Sequence, residues 1–73
     1  QMKYRIGVEL PDGRSVQSEI AEWNKTQLEE ARVLLEDVGH LTFFKMNVGD
    51  AEMYLPGELA RKCIFWIRKV TDE

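Results

Sequence analysis

CIFWIRKV (Cys63–Val70) carries large apolar side chains at both strand parities: Ile64, Trp66, Arg68 and Val70 share one face, and Cys63, Phe65, Ile67 and Lys69 share the other. An antiparallel strand with one face on a core and one in water alternates apolar with polar residues, and this one does not. Its surroundings therefore decide the fold. Either each face is covered by something different, or the sheet curls over the strand.

Just before it, PGELARK (56–62) breaks the chain as a turn or a single helical turn. Before that, LTFFKMNV (41–48) and AEMYLP (51–56) flank Gly49-Asp50, a two-residue loop that signals a tight hairpin. Setting Val48 opposite Ala51 places Met46 opposite Met53 and Phe44 opposite Leu55 on a buried face. The same register turns Lys45, Tyr54, Asn47 and Glu52 outward.

Further from the closing strand, WNKTQLEEARVLLEDVGHL (23–41) repeats Leu28, Ala31, Leu34, Leu35 and Val38 at helical spacing between charged residues. Two caps compete for its start. Asn24 pairs with Gln27 while Trp23 staples onto Leu28, or Thr26 pairs with Glu29. Gly39 is expected to end the helix in a left-handed cap, with Leu41 folding back onto the last turn.

KYRIGVEL (3–10) alternates Tyr4, Ile6, Val8 and Leu10 with polar residues and glycine, and PDGR supplies a bulged turn with Gly13 at positive φ. Pairing Leu10 with Arg14 sets Val8 opposite Val16, Tyr4 opposite Ile20 and Arg5 opposite Glu19. The expected fold is α+β: one small, mostly antiparallel sheet in the chain order β-β-α-β-β-β, with one amphipathic helix packed on one face. Residues 1–73 form a single domain whose last three residues fray. Gln1 ahead of Met2 is expected to be an expression remnant, making Met2 the native start of a complete small gene product.

A chain of 73 residues buries only about 60% of its unfolded surface. With one cysteine and one histidine, disulfides and structural metals are not at hand to compensate, which leaves a self-contained core or an oligomer. A net charge of -3 weighs against general nucleic-acid binding through phosphate neutralisation. No apolar run approaches a membrane span, and a reducing cytoplasm is the expected compartment.

Because the helix covers one face only, either Ile64 and Trp66 or Phe65 and Ile67 remain on the open face. Phe43 and Tyr54 fall on that face too, flanked by Lys45 and by Arg68 or Lys69. Phe43, Lys45, Tyr54, Trp66 and Arg68, with Phe65 and Ile67 as the alternative pair, form the expected interaction surface; its first expected partner is a second copy of the chain. The competing arrangement makes this strand simply the central one, covered on both sides.

Arg61, Lys62 and Arg68 are the cationic residues that would meet a small, nucleotide-like anion. Glu58, however, lies where the anion would sit above PGELARK, and a plain turn is the favoured reading there. His40 and Cys63 show no nucleophile-and-base arrangement and match no zinc spacing. No phosphate loop or dinucleotide fingerprint occurs, so no catalytic residue, metal or cofactor is assigned.

The pattern from YLPGEL to CIFWIRKV resembles the ends of many small bacterial and phage proteins, without a chemical motif to carry over. The expected function is that of a non-enzymatic, homodimeric binding protein, of the kind phages and mobile elements use as accessory proteins against another protein. The alternative is a protein that sequesters or senses a small anion.

Overall fold

The computed structural model describes residues 2–71. The expectations for Gln1 and for fraying at residues 72 and 73 lie outside them, while Thr71 is exposed and follows the last strand without joining it. The chain runs β1 (Met2–Glu9), β2 (Ser15–Gln17), β3 (Ala21–Trp23), α1 (Lys25–Glu36), a 3-10 turn (Val38–His40), β4 (Phe43–Val48), β5 (Ala51–Pro56), α2 (Gly57–Ala60) and β6 (Ile64–Val70). It is an α+β fold with antiparallel pairing throughout the described strands and one main helix.

The strands make two ladders, with β1 at the centre of the larger. β2 and β3 pair with one side of β1, β6 pairs with the other, and β4 and β5 form a separate hairpin. β6 is therefore an edge strand, not the central one. The pairing that places it there, from Lys3↔Val70 to Glu9↔Ile64, joins the two ends of the chain.

Both tight turns form as the sequence implies, with Gly13 at φ 94° and Gly49 at φ 62°. The β4–β5 register is as expected, including Phe44↔Leu55, Met46↔Met53 and Lys45↔Tyr54. The first hairpin keeps Val8↔Val16 but then shifts by one residue, so that Tyr4 meets Ala21, not Ile20, and Arg5 does not meet Glu19. The cause is a bulge at Ser18–Ile20. The Ser18 hydroxyl accepts from the Ile6 N–H at 2.9 Å, and the Ser18 N–H donates to the Ile6 carbonyl at 2.8 Å, so one residue satisfies both backbone groups. Glu19 turns away to the other ladder, donating its N–H to Asn47 O at 3.1 Å and accepting from Gly49 N–H at 2.9 Å.

The core lies between the two ladders. Val8, Phe44, Met46, Leu55 and Ala60 are buried there, with Ile6, Leu35, Val38 and Phe65 packed around them. Phe44 meets Phe65 edge to face, ring centroids 5.0 Å apart. Helix α1 begins at Asn24, whose side chain accepts from Gln27 N–H at 2.8 Å while Gln27 Oε1 accepts from Asn24 N–H at 3.0 Å, so the Asn24 cap wins over Thr26. The helix lays Ala31 and Leu35 toward the core, the 3-10 turn adds Val38, and Val33 and Leu34 stay exposed.

The helix end differs from expectation. It stops at Glu36, and Gly39 falls inside the 3-10 turn without a positive φ. Asp37 N–H donates to the carbonyls of Val33 and Leu34, and the chain tightens into the 3-10 turn, where His40 N–H donates to Asp37 O at 3.0 Å and Leu41 N–H to Val38 O at 3.2 Å; the Arg61 guanidinium donates to Gly39 O at 3.0 Å.

Candidate binding surface

Alternation along β1 and β6 divides their side chains cleanly. Tyr4, Ile6 and Val8 lie on the core side together with Phe65, Ile67 and Lys69, their direct partners on β6. Lys3, Arg5, Gly7 and Glu9 lie on the outer side with Val70, Arg68, Trp66 and Ile64. The alternative pair Phe65 and Ile67 is thus turned inward. Trp66 and Arg68 face out.

Gly7 explains how a tryptophan sits on that outer face. A methyl group added at Gly7 would run into the indole of Trp66, so the ring lies flat across the bare backbone of the central strand. Trp66 is half-buried, and beside it Ile64 is 61% exposed. Two guanidinium groups complete the face. Arg5 stands directly opposite Arg68, and among the described residues neither pairs with a carboxylate. Arg5 reaches Gln17 Oε1 at 3.5 Å, while its Nε is buried with no hydrogen-bond partner.

Phe43, Lys45 and Tyr54, expected on the same face, belong elsewhere. They decorate the outer side of the β4–β5 hairpin, whose inner side is packed on the core, so the core separates them from Trp66. That patch is largely self-satisfied. Phe43 meets Tyr54 edge to face at 6.4 Å, Tyr54 donates to Glu52 Oε1 at 3.0 Å, and Lys45 Nζ sits 3.5 Å from Glu52 Oε2 and 5.9 Å from the Tyr54 ring. The predicted single patch is two patches because the hairpin folds over the sheet and does not extend it.

The other candidates have structural employment. Arg61 holds the 3-10 turn through Gly39 O, and Lys62 is exposed just beyond α2, whose first turn carries Glu58. His40 Nδ1 lies 2.6 Å from Asp37 Oδ1, and Cys63 Sγ donates to Leu59 O at 3.2 Å. Burial pushes the Cys63 thiol above its ordinary range, which opposes a nucleophilic role. Among the described residues no three His, Cys, Asp or Glu side chains converge on a metal-sized space, and no helix is long and apolar enough to cross a membrane.

One feature had no forewarning in the sequence. Tyr4 stacks on Trp23 with centroids 5.6 Å apart, and the pair lines a cleft of about 290 Å³ together with Met2, Asn24, Lys25 and Leu28. The residues that bring Arg5 and Gly7 beside Trp66 are equally hidden, since only the pairing of first and last strands reveals them. Set against protein-family models, curated proteins and solved structures, the chain matches none.

Proposed function

We propose that this chain is a non-enzymatic binding protein that acts by docking onto protein, its first partner a second copy of itself, through the β1–β6 outer face and the β6 edge. The observation that carries this is the outer face itself: Trp66 spread over Gly7, Ile64 61% exposed, and Arg5 and Arg68 side by side, neither paired with a carboxylate among the described residues. An aromatic and an aliphatic anchor beside arginine are what protein interfaces concentrate. The chain also exposes 5254 Å², against about 4,650 Å² for a compact monomer of its mass. A cytoplasmic accessory role of the phage or mobile-element type accords with such a binder.

The test compares two charge insertions by sedimentation equilibrium and circular dichroism. Ile64→Glu, at an exposed site, should leave stability within about 0.5 kcal/mol and weaken self-association at least about tenfold. Phe43→Glu, on the other side of the core, should lose its edge-to-face contact with Tyr54 and leave self-association unchanged. Undiminished association of Ile64→Glu would overturn the proposal.

A second reading rests on the Arg5–Arg68 pair. Like charges directly opposite are unfavourable in a sheet, and Arg5 Nε is buried with no acceptor among the described residues. A small phosphate-bearing anion bridging the two guanidinium groups would answer both. Inorganic phosphate or a nucleotide should then raise the melting temperature of the natural chain and not of Arg68→Ala.

A further inference from the structure

We propose that the second copy docks on the free edge of β6, antiparallel, with a two-fold axis through Ile67. The proposal rests on the homodimer reading above and specifies its geometry. Among the described residues β6 is hydrogen-bonded to β1 alone, so one side of a seven-residue strand presents unpaired N–H and C=O groups. The remaining edges are poorer templates. β2 and β3 are three residues each and are separated by the bulge, β4 has Asn47 O occupied by Glu19 N–H, and β5 ends in Pro56, which has no N–H.

The sequence of β6 chooses the register. Two copies paired antiparallel around a two-fold axis keep the same faces aligned, so the axis passes through a residue. With Ile67 on it, all seven residues are paired. On the outer face Ile64 meets Val70 of the second copy, and Trp66 meets its Arg68. On the inner face Phe65 meets Lys69 of the second copy, and Ile67 meets Ile67. Every cation then lies beside an aromatic ring, four times over by symmetry. An axis through Arg68 sets Arg68 against Arg68. An axis through Trp66 pairs only residues 64 to 68 and leaves Lys69 without its ring.

Cations on an edge strand ordinarily discourage pairing. Here Arg68 and Lys69 oppose the registers that set them against themselves and favour the one that sets each against a ring. The product is a continuous sheet, β1 and β6 of one copy followed by β6 and β1 of the other, with both tryptophans on one outer surface.

The test uses a Cys63→Ser background carrying Ile64→Cys or Val70→Cys, each alone and mixed, treated with the shortest bis-maleimide, alongside sedimentation of the unsubstituted chain. The proposed register puts residue 64 beside residue 70 of the second copy, while identical positions lie about 20 Å apart. Cross-linked dimer should therefore form in the mixture at least tenfold faster than in either variant alone. A dimer by sedimentation without that preference would overturn the register and leave the homodimer standing. A monomer at every soluble concentration would overturn both.

Discussion

At the scale of single residues, the outer face depends on Gly7. Any side chain there displaces Trp66 from the backbone it covers, and overpacking of this kind costs about 1–3 kcal/mol. Gly7→Val should lose that much in urea unfolding, and it should also weaken association, because the displaced indole no longer presents its face. Cys63 offers a test of burial by pH. Its folded pKa is raised, so the folded state holds its proton where the unfolded state has lost it. The contribution is thus complete below the unfolded thiol's pKa and is lost as pH climbs through the alkaline range toward the folded value. Thermal melts from neutral to alkaline pH should fall less steeply for Cys63→Ser than for the unsubstituted chain; identical slopes would place the thiol in water. Trp66 and Arg68 were legible from alternation alone. Arg5 and Gly7 were not, because their place beside Trp66 depends on a pairing between chain ends that no local signal encodes.

Among the elements, short-range chemistry separates what the sequence discloses from what it conceals. The β4–β5 register is readable because a two-residue turn leaves only one way to bury Phe44 and Met46 together. The first hairpin is readable only as far as Gln17. Beyond it the Ser18 hydroxyl replaces a backbone partner, and nothing in an alternating pattern announces that exchange. The helix start shows the opposite case, where two capping boxes fit the sequence and the structure selects one. Asn24→Ala should cost about 1 kcal/mol of stability by chemical denaturation. Thr26→Ala, at an exposed position inside the helix, should gain a few tenths, and a loss larger than that of Asn24→Ala would move the cap. At the helix end, Gly39 misled because the chain tightens into a 3-10 turn after Asp37, and Arg61, more than twenty positions away, holds that turn through Gly39 O.

For the molecule as a whole, the α+β class and element order follow from periodicity and turns, but the layering does not. Whether β4–β5 extends the sheet or folds over it is decided by Phe44 meeting Phe65, a contact between distant segments. Few side chains are buried well enough to hold the layers together, and Phe44 is the largest of them. Phe44→Ala should remove about 3–5 kcal/mol, enough to unfold much of a chain this short near room temperature as read by circular dichroism. The remaining apolar surface on β6 is what a second copy would cover. Native mass spectrometry at low micromolar concentration reads this in one spectrum: a dimer of the 8.5 kDa chain should give a species of twice that mass, and monomer alone would mean that no second copy covers β6.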